Sequence, residues 1–146
     1  MGSSASVAEL PEWARELLDA SRVARMGFVD DDGAPRVLPV TFTVAGETIF
    51  SAVDQKRKRV AGERLARVQW LRSRPRAALT VDHYDEDWSR LAWVQALGSV
   101  RILRADDSPE GLDALRDRYR QYADESPAGP LLALTPERLL WWQASA

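Results

Sequence analysis

The chain contains no cysteine and a single histidine, and these two absences exclude several kinds of functional site. Without cysteine there can be no disulfide, no thiolate metal site and no cysteine nucleophile. The one histidine, His83, stands in an acidic loop, so no Ser-His-Asp set is proposed and no catalytic residue is assigned. The same loop lacks the converging ligand spacing of zinc or iron motifs, and we expect no metal site. Any chemistry must therefore belong to a cofactor.

Long apolar runs and an excess of positive charge are also missing. No stretch approaches the roughly 18 apolar residues of a membrane span. The N-terminus has no secretory pattern, so we expect a soluble, cytoplasmic protein without a membrane partner. The net charge of -2 argues against a nucleic-acid partner, because the surface has no general attraction for polyanions. A length of 146 residues predicts one domain, spanning 1–146 with a flexible start over residues 1–9.

The first half of the chain carries apolar runs of β type that are separated by hairpin signals. Three strands are predicted, at Val23–Val29, Arg36–Val44 and Thr48–Val53. The third is followed abruptly by Lys56-Arg57-Lys58-Arg59. A basic cluster at the end of a strand can hold the phosphate of a ligand whose flat part lies on the sheet.

The rest of the chain alternates helical and β-type patterns. Helices are predicted from near Leu10 to about Ala20, over Gly62–Arg72, and from Asp107 or Ser108 onward, and strands at Ala77–Val81, Leu91–Leu103 and Leu139–Trp142. The six strands follow the order β-β-β-α-β-β-α-β, with meander connections rather than alternating crossovers. This order predicts a mainly β fold, a six-stranded antiparallel barrel with peripheral helices.

Three segments together resemble a known superfamily. They are Val23–Val29, Asp32–Val40 and Leu71–Val81, the last with Arg74-Pro75-Arg76. Their order and spacing are similar to those of the split-barrel flavin-binding superfamily, which contains pyridoxamine 5'-phosphate oxidases and deazaflavin-dependent reductases. A fourth segment, Val81–Trp88 followed by Leu91–Val94, resembles an actinobacterial subgroup of coenzyme F-420 binders. The resemblance runs from Trp13 to Trp142 and implies a split barrel, a homodimer and two cofactor sites at the subunit interface.

The resemblance also implies positions for the cofactor's phosphate. Relatives grip the phosphate with basic residues between the third strand and the following helix, which here are Lys56, Lys58 and, on the helix, Arg67. The alternative for the two lysines is an ordinary solvated loop. Trp70 stands where relatives often carry asparagine, and it either stacks on the cofactor or packs in the core.

The flat ring of the cofactor is expected along the second and third strands. By the resemblance, the ring lies along the backbone at Pro39, Val40 and Thr41 of the second strand and at Ser51 and Ala52 of the third. Small residues permit close approach, and main-chain amides can bond the ring edge. For each of these residues, the alternative is that it belongs to a barrel strand with normal alternation and has no role in binding a cofactor.

These expectations lead to one principal function and two alternatives. The first is an oxidoreductase that passes hydride from reduced coenzyme F-420 to a small unsaturated organic substrate. The second keeps the fold but uses FMN, as pyridoxamine phosphate oxidases do. The third is a non-enzymatic module that stores or shields a deazaflavin or another ligand such as haem. Trp88 and Trp93 line the substrate pocket or only pack.

Overall fold

The computed structural model of the protein describes residues 1–53 and 65–145, and within these ranges it contains eight β-strands and four α-helices. The strands are β1 Gly2–Ser4, β2 Ala24–Val29, β3 Pro35–Val40, β4 Thr43–Ala45, β5 Thr48–Ala52, β6 Arg76–His83, β7 Ala92–Leu103 and β8 Leu131–Gln143. The helices are α1 Glu12–Ala20, α2 Ala66–Ser73, α3 Pro109–Arg118 and α4 Arg120–Asp124. Short 3-10 turns cover Val7–Glu9, Trp88–Arg90 and Ala105–Asp107.

The strands form one curled antiparallel sheet in the order β3-β2-β6-β7-β8-β5-β4. Strand β8 pairs with β7 along its whole length on one edge. Its other edge is shared, because β5 pairs with its first part and β1 with its last part. The predicted mainly β class is confirmed, and the sheet curls into a half-barrel.

The predicted count of six strands is wrong for two reasons. The expected strand Arg36–Val44 is interrupted at Thr41 and Phe42, which divides it into β3 and β4. In addition, Gly2–Ser4 pairs with Leu139–Trp141 of β8. Residues 1–9 therefore contain a strand and a 3-10 turn in the structure, while their flexibility stays a prediction.

Two elements near the C-terminus also differ from the sequence-based expectation. Strand β8 begins eight residues before the predicted Leu139, because its first half, beginning at Leu131, pairs with β5 and β7. The long helix expected after Ser108 is divided at Tyr119, whose backbone is extended.

A β-bulge lies in the middle of the β7–β8 ladder. Leu97 is opposite Arg138 whereas Gly98 is opposite Pro136, so Glu137 is the extra residue on β8. A Cβ atom on Gly98 would lie 2.0 Å from the carbonyl oxygen of Thr135, so the two backbones can approach this closely only with glycine. Bulges of this kind bend a strand and increase its twist, which favours the curl of the sheet.

The core consists of two clusters on opposite faces of the sheet. The larger cluster fills the inside of the curl, where α1 and α2 contribute Leu18, Val68 and Leu71. The smaller cluster lies on the outer face, where α3 packs over Phe50 and its neighbours on β5 and β8. A Cβ on Gly111 of α3 would lie 2.4 Å from the Phe50 ring, so glycine allows this helix to approach the sheet. Helix α3 therefore covers one end of the outer face.

None of the helices in the described ranges has the length and apolar character needed to cross a bilayer.

The bulge can be tested with a matched pair of glycine substitutions. Gly98→Ala should lower the free energy of unfolding by about 1–3 kcal/mol, because the new methyl group collides with backbone that must shift. Gly27→Ala is the control, since its nearest neighbour would lie 3.8 Å away, and we expect a change of no more than about 0.5 kcal/mol. Urea denaturation measures both. Equal effects of the two substitutions would contradict the assigned role of Gly98.

Candidate functional site

The outer face of the sheet beyond α3 is not covered by any described element. We call it the open face, and its side chains form three cross-strand rows: Val37, Gly27, Ala78 and Leu97; Pro39, Arg25, Thr80, Gln95 and Leu140; and Asp82, Trp93 and Trp142. These residues are half-buried or exposed, whereas the alternating side chains between them are buried in the core. The open face therefore includes apolar side chains that are in contact with water.

Two polar features interrupt this apolar surface. The side chain of Gln95 donates a hydrogen bond to the Thr80 hydroxyl over 3.1 Å. Arg25 lies beside Thr80 in the same row, is exposed, and has no hydrogen bond or ion pair with a described residue. The open face therefore presents an available cation next to a small polar patch, surroundings suited to an anionic or strongly polar ligand group.

The predicted ring-binding residues of the second strand point in different directions. Pro39 lies at the edge of the open face and is exposed. Val40, 7% exposed, points into the core instead. The hydroxyl of Thr41 lies 2.7 Å from the hydroxyl of Tyr122, so it is already hydrogen-bonded within the protein.

The predicted residues on β5 are buried. Ser51 is 1% exposed, and its hydroxyl donates a 2.6 Å hydrogen bond to the carbonyl of Thr41. Ala52 packs on the other side of the strand, in the cluster beneath α3. The structure therefore brings Ser51 and Thr41 together, but it uses their polar groups to join β5 to the break between β3 and β4.

Tyr119 holds the interrupted segment in place from a distant part of the chain. Its hydroxyl accepts a hydrogen bond from the Phe42 N–H at 3.0 Å and lies 2.8 Å from the carbonyl oxygens of Phe42 and Arg22, either of which can accept its proton. The hydroxyl thus replaces the partner that a continuous strand would give Phe42. Tyr119 and Tyr122 lie in the segment for which the sequence predicts a helix, and no spacing signal links them to residues 41 and 42.

Arg118 connects the segment around Phe42 to the C-terminal end of α1. Its guanidinium donates to the carbonyls of Asp19 at 2.9 Å, Leu18 at 3.1 Å and Ser21. The same group lies 5.0 Å from the centre of the Phe42 ring, where a cation–π contact is favourable. Arg118, the last residue of α3, and Tyr119, which follows it, therefore form a hub that fixes the C-terminal end of α1 and the β3–β4 break.

Helix α2 carries two further predicted residues. Arg67 is half-buried in its first turn. Trp70 is 8% exposed and packs against Phe28, with 6.1 Å between ring centres. The guanidinium of Arg36 lies 4.7 Å above the indole ring. Among the described residues Trp70 is therefore part of the core, and one face of its ring is occupied by Arg36. Lys56 and Lys58 lie outside the described residues.

The turn between β2 and β3 orients Arg36. The carboxylate of Asp30 accepts hydrogen bonds from the N–H groups of Ala34 at 2.9 Å and Asp32 at 3.0 Å, and lies 3.5 Å from the Arg36 guanidinium. The hydrogen bond from Ala34 is the main cause that lowers the pKa of Asp30, against the opposing effect of desolvation. The carboxylate thus keeps its charge beside Arg36.

The acidic loop after β6 is exposed, as predicted from the sequence. His83 lies 3.9 Å from Asp85, and the described residues contain no group of three or more potential ligands that could hold a metal ion. Trp88 is 68% exposed, whereas Trp93 lies on the open face opposite Trp142. The two tryptophans therefore have different surroundings, and neither belongs to the buried core.

A family profile described as pyridoxamine 5'-phosphate oxidase matches residues 10–143. The chain belongs to this family. The predicted resemblance to the split-barrel flavin-binding superfamily is thereby confirmed. No curated protein matches the sequence significantly.

Solved structures with related folds support this family assignment at the level of the fold. An F-420 reductase is 19% identical, with a TM-score of 0.66 over 90% of this chain and 98% of that protein. An FAD-binding protein from Mesorhizobium loti is 18% identical, with a TM-score of 0.67 over 93% and 96%. A haem-binding protein from Mycobacterium smegmatis is 18% identical, with a TM-score of 0.73 over 91% of this chain and 53% of that protein.

The hub can be tested by removing one hydroxyl group. In this member of the family, Tyr119→Phe should lower the free energy of unfolding by about 1–3 kcal/mol, because it leaves polar backbone at Phe42 without its partner. Tyr84→Phe is the control, since Tyr84 is 61% exposed and we expect a change within about 0.5 kcal/mol. Hydrogen exchange should also become faster at the Phe42 amide. Unchanged exchange there would show that the hydroxyl does not hold this segment.

Proposed function

We propose that the protein is an oxidoreductase that binds reduced coenzyme F-420 and passes hydride to a small unsaturated organic substrate. The observation that carries the proposal is the family match over residues 10–143, in a family named for a flavin-dependent oxidase. An F-420 reductase is among the proteins with a related fold. We also propose a cytoplasmic location, which fits a chain without cysteine.

We further propose that two copies associate through the open face. Its rows combine larger apolar side chains, such as Leu97 and Trp142, with the small residues Gly27 and Ala78. Small residues allow two sheets to approach closely, and contiguous exposed apolar surface is typical of interaction sites. Pro39 lies at the edge of this face, so a cofactor beside residues 39–41 would lie close to the second copy.

The proposed cofactor site combines the edge of the open face with the basic segment. The ring would lie against the main chain of residues 39–41, because the side chains of Val40, Ser51 and Ala52 are buried. Lys56, Lys58 and Arg67 would hold the phosphate. When bound, the deazaflavin supplies the hydride, and this chain's residues orient the ring and exclude water.

Two alternatives are each favoured by a specific observation. An FAD-binding protein of related fold and the family name itself favour an FMN-dependent enzyme. A haem-binding protein of related fold favours a non-enzymatic binding module. Titration of the protein with F-420, FMN and haem in turn, monitored by tryptophan fluorescence, ranks its affinities for the three cofactors. Turnover of reduced F-420 with an enone or a quinone would eliminate the storage module.

The phosphate site can be tested on the only two lysines of the chain. Replacing both Lys56 and Lys58 by alanine should weaken F-420 affinity about tenfold or more, because charge-assisted contacts to the phosphate are lost. Arg57 and Arg59 replaced together by alanine form the control, since the same charge is removed from neighbouring positions. Equal losses in the two double variants would mean that only the overall charge matters, and unchanged affinity in the lysine variant would refute the site.

The same lysines allow a direct footprint. Amine acylation followed by mass spectrometry should modify Lys56 and Lys58 in the free protein and be suppressed by saturating F-420. The N-terminal amine serves as the internal control and should react equally in both samples. Modification that F-420 does not suppress would separate the lysines from the cofactor.

The proposed dimer can be tested at one of the small residues of the open face. Ala78→Arg should convert a dimer into a monomer, because it introduces a bulky charge where two sheets are expected to meet. Ala20→Arg, at an exposed position at the end of α1, is the control and should remain dimeric. Sedimentation velocity measures the state of each variant. A wild-type monomer, or a dimeric Ala78→Arg variant, would contradict this interface.

A further inference from the structure

A concave site lies at the end of the molecule remote from the row of Asp82, Trp93 and Trp142. It shares no residue with the open face. It is a cavity of about 840 Å³ between the end of β7, the 3-10 turn Ala105–Asp107, α3 and the loop that leads into β8. Its volume falls in the range typical of sites for small organic molecules. None of the described residues that line it belongs to the proposed cofactor site.

Apolar side chains form part of the walls of this cavity, alongside polar groups. Ile102 and Leu103 end β7 on one side, Leu112 of α3 is opposite, and Pro127 and Pro130 close the loop side. Leu103 and Leu112 are half-buried and pack on the outer cluster, which keeps their positions fixed. This part of the cavity therefore suits the apolar body of a ligand.

The charged side chains around the cavity differ in whether they already have a hydrogen-bond or ion-pair partner. Among the described residues, its ionisable lining consists of Arg72, Arg104 and Asp106, which together carry a formal charge of +1. Arg104 is engaged, since its Nε and Nη2 atoms donate to the Asp106 carboxylate at 3.1 and 3.0 Å. Arg72 is exposed and has no hydrogen bond or ion pair with a described residue. One guanidinium is thus free to bind an anionic group.

We propose that this cavity binds an amphipathic monocarboxylate, with the apolar body against Leu103 and Leu112 and the carboxylate on the guanidinium of Arg72. A guanidinium can donate two parallel hydrogen bonds to the two oxygens of a carboxylate, and a neutral polar group cannot reproduce this charged pair of bonds. A single negative charge balances the formal charge of the lining. This site is separate from the proposed redox site and does not depend on the identity of the cofactor.

Calorimetric titration with a matched pair of ligands tests the proposal. The probes are 4-phenylbutyrate and the neutral 4-phenylbutan-1-ol, which share the apolar body and differ in the polar end. The carboxylate should bind the wild-type protein about tenfold more tightly than the alcohol. Arg72→Gln should remove this preference and leave the alcohol's affinity unchanged. Arg120→Gln, at an exposed position outside the lining, should behave as the wild type.

A variant that fills the cavity separates binding there from binding elsewhere. Ala128→Trp places a bulky group in the space from an exposed loop position, so it should abolish binding of both probes without lowering the unfolding midpoint. All titrations are carried out without F-420, so failure of the redox proposal does not affect them. Equal affinity for the two probes, equal losses in the two arginine variants, or unchanged binding to Ala128→Trp would overturn the proposal.

Discussion

The structure depends on the long antiparallel ladder between β7 and β8. Its two strands, Ala92–Leu103 and Leu131–Gln143, run the length of the sheet, and β8 then holds β5 and β1 on its other edge. The bulge at Gly98 gives this ladder the bend that a half-barrel needs. Because the two strands extend beyond α3, one end of the outer face is covered and the other end remains open.

This division of the outer face separates the parts of the molecule that stabilise it from those that can bind. At the covered end, Gly111 allows α3 to pack on Phe50, and the adjoining hub of Arg118 and Tyr119 fixes the β3–β4 break. At the open end, apolar side chains and Arg25 remain available to a second copy or a ligand. Fixing the backbone near Thr41 at the edge of this surface would provide the rigidity that orientation of the proposed cofactor requires.

Much of the fold could be predicted from the sequence, because β2, β5 and β7 have strong local patterns and clear turns. The first half of β8 could not, since Pro136 and the charged bulge residue Glu137 interrupt its alternation and its partners are distant in sequence. The break at Thr41 and Phe42 was missed for a similar reason, because its hydrogen bonds come from tyrosines about 80 positions later. Residue types alone also could not predict that Val40, Ser51 and Ala52 bury their side chains. Because of this burial, only their main-chain atoms could contact a cofactor ring.

We propose that two copies of this split barrel hold a flavin-type cofactor between them. The most direct measurement is a crystal structure of the protein with coenzyme F-420. We expect the ring to lie against the main chain of residues 39–41 of one copy and to contact the open face of the other. A ring enclosed within a single copy, or bound on a surface remote from residues 39–41, would contradict it.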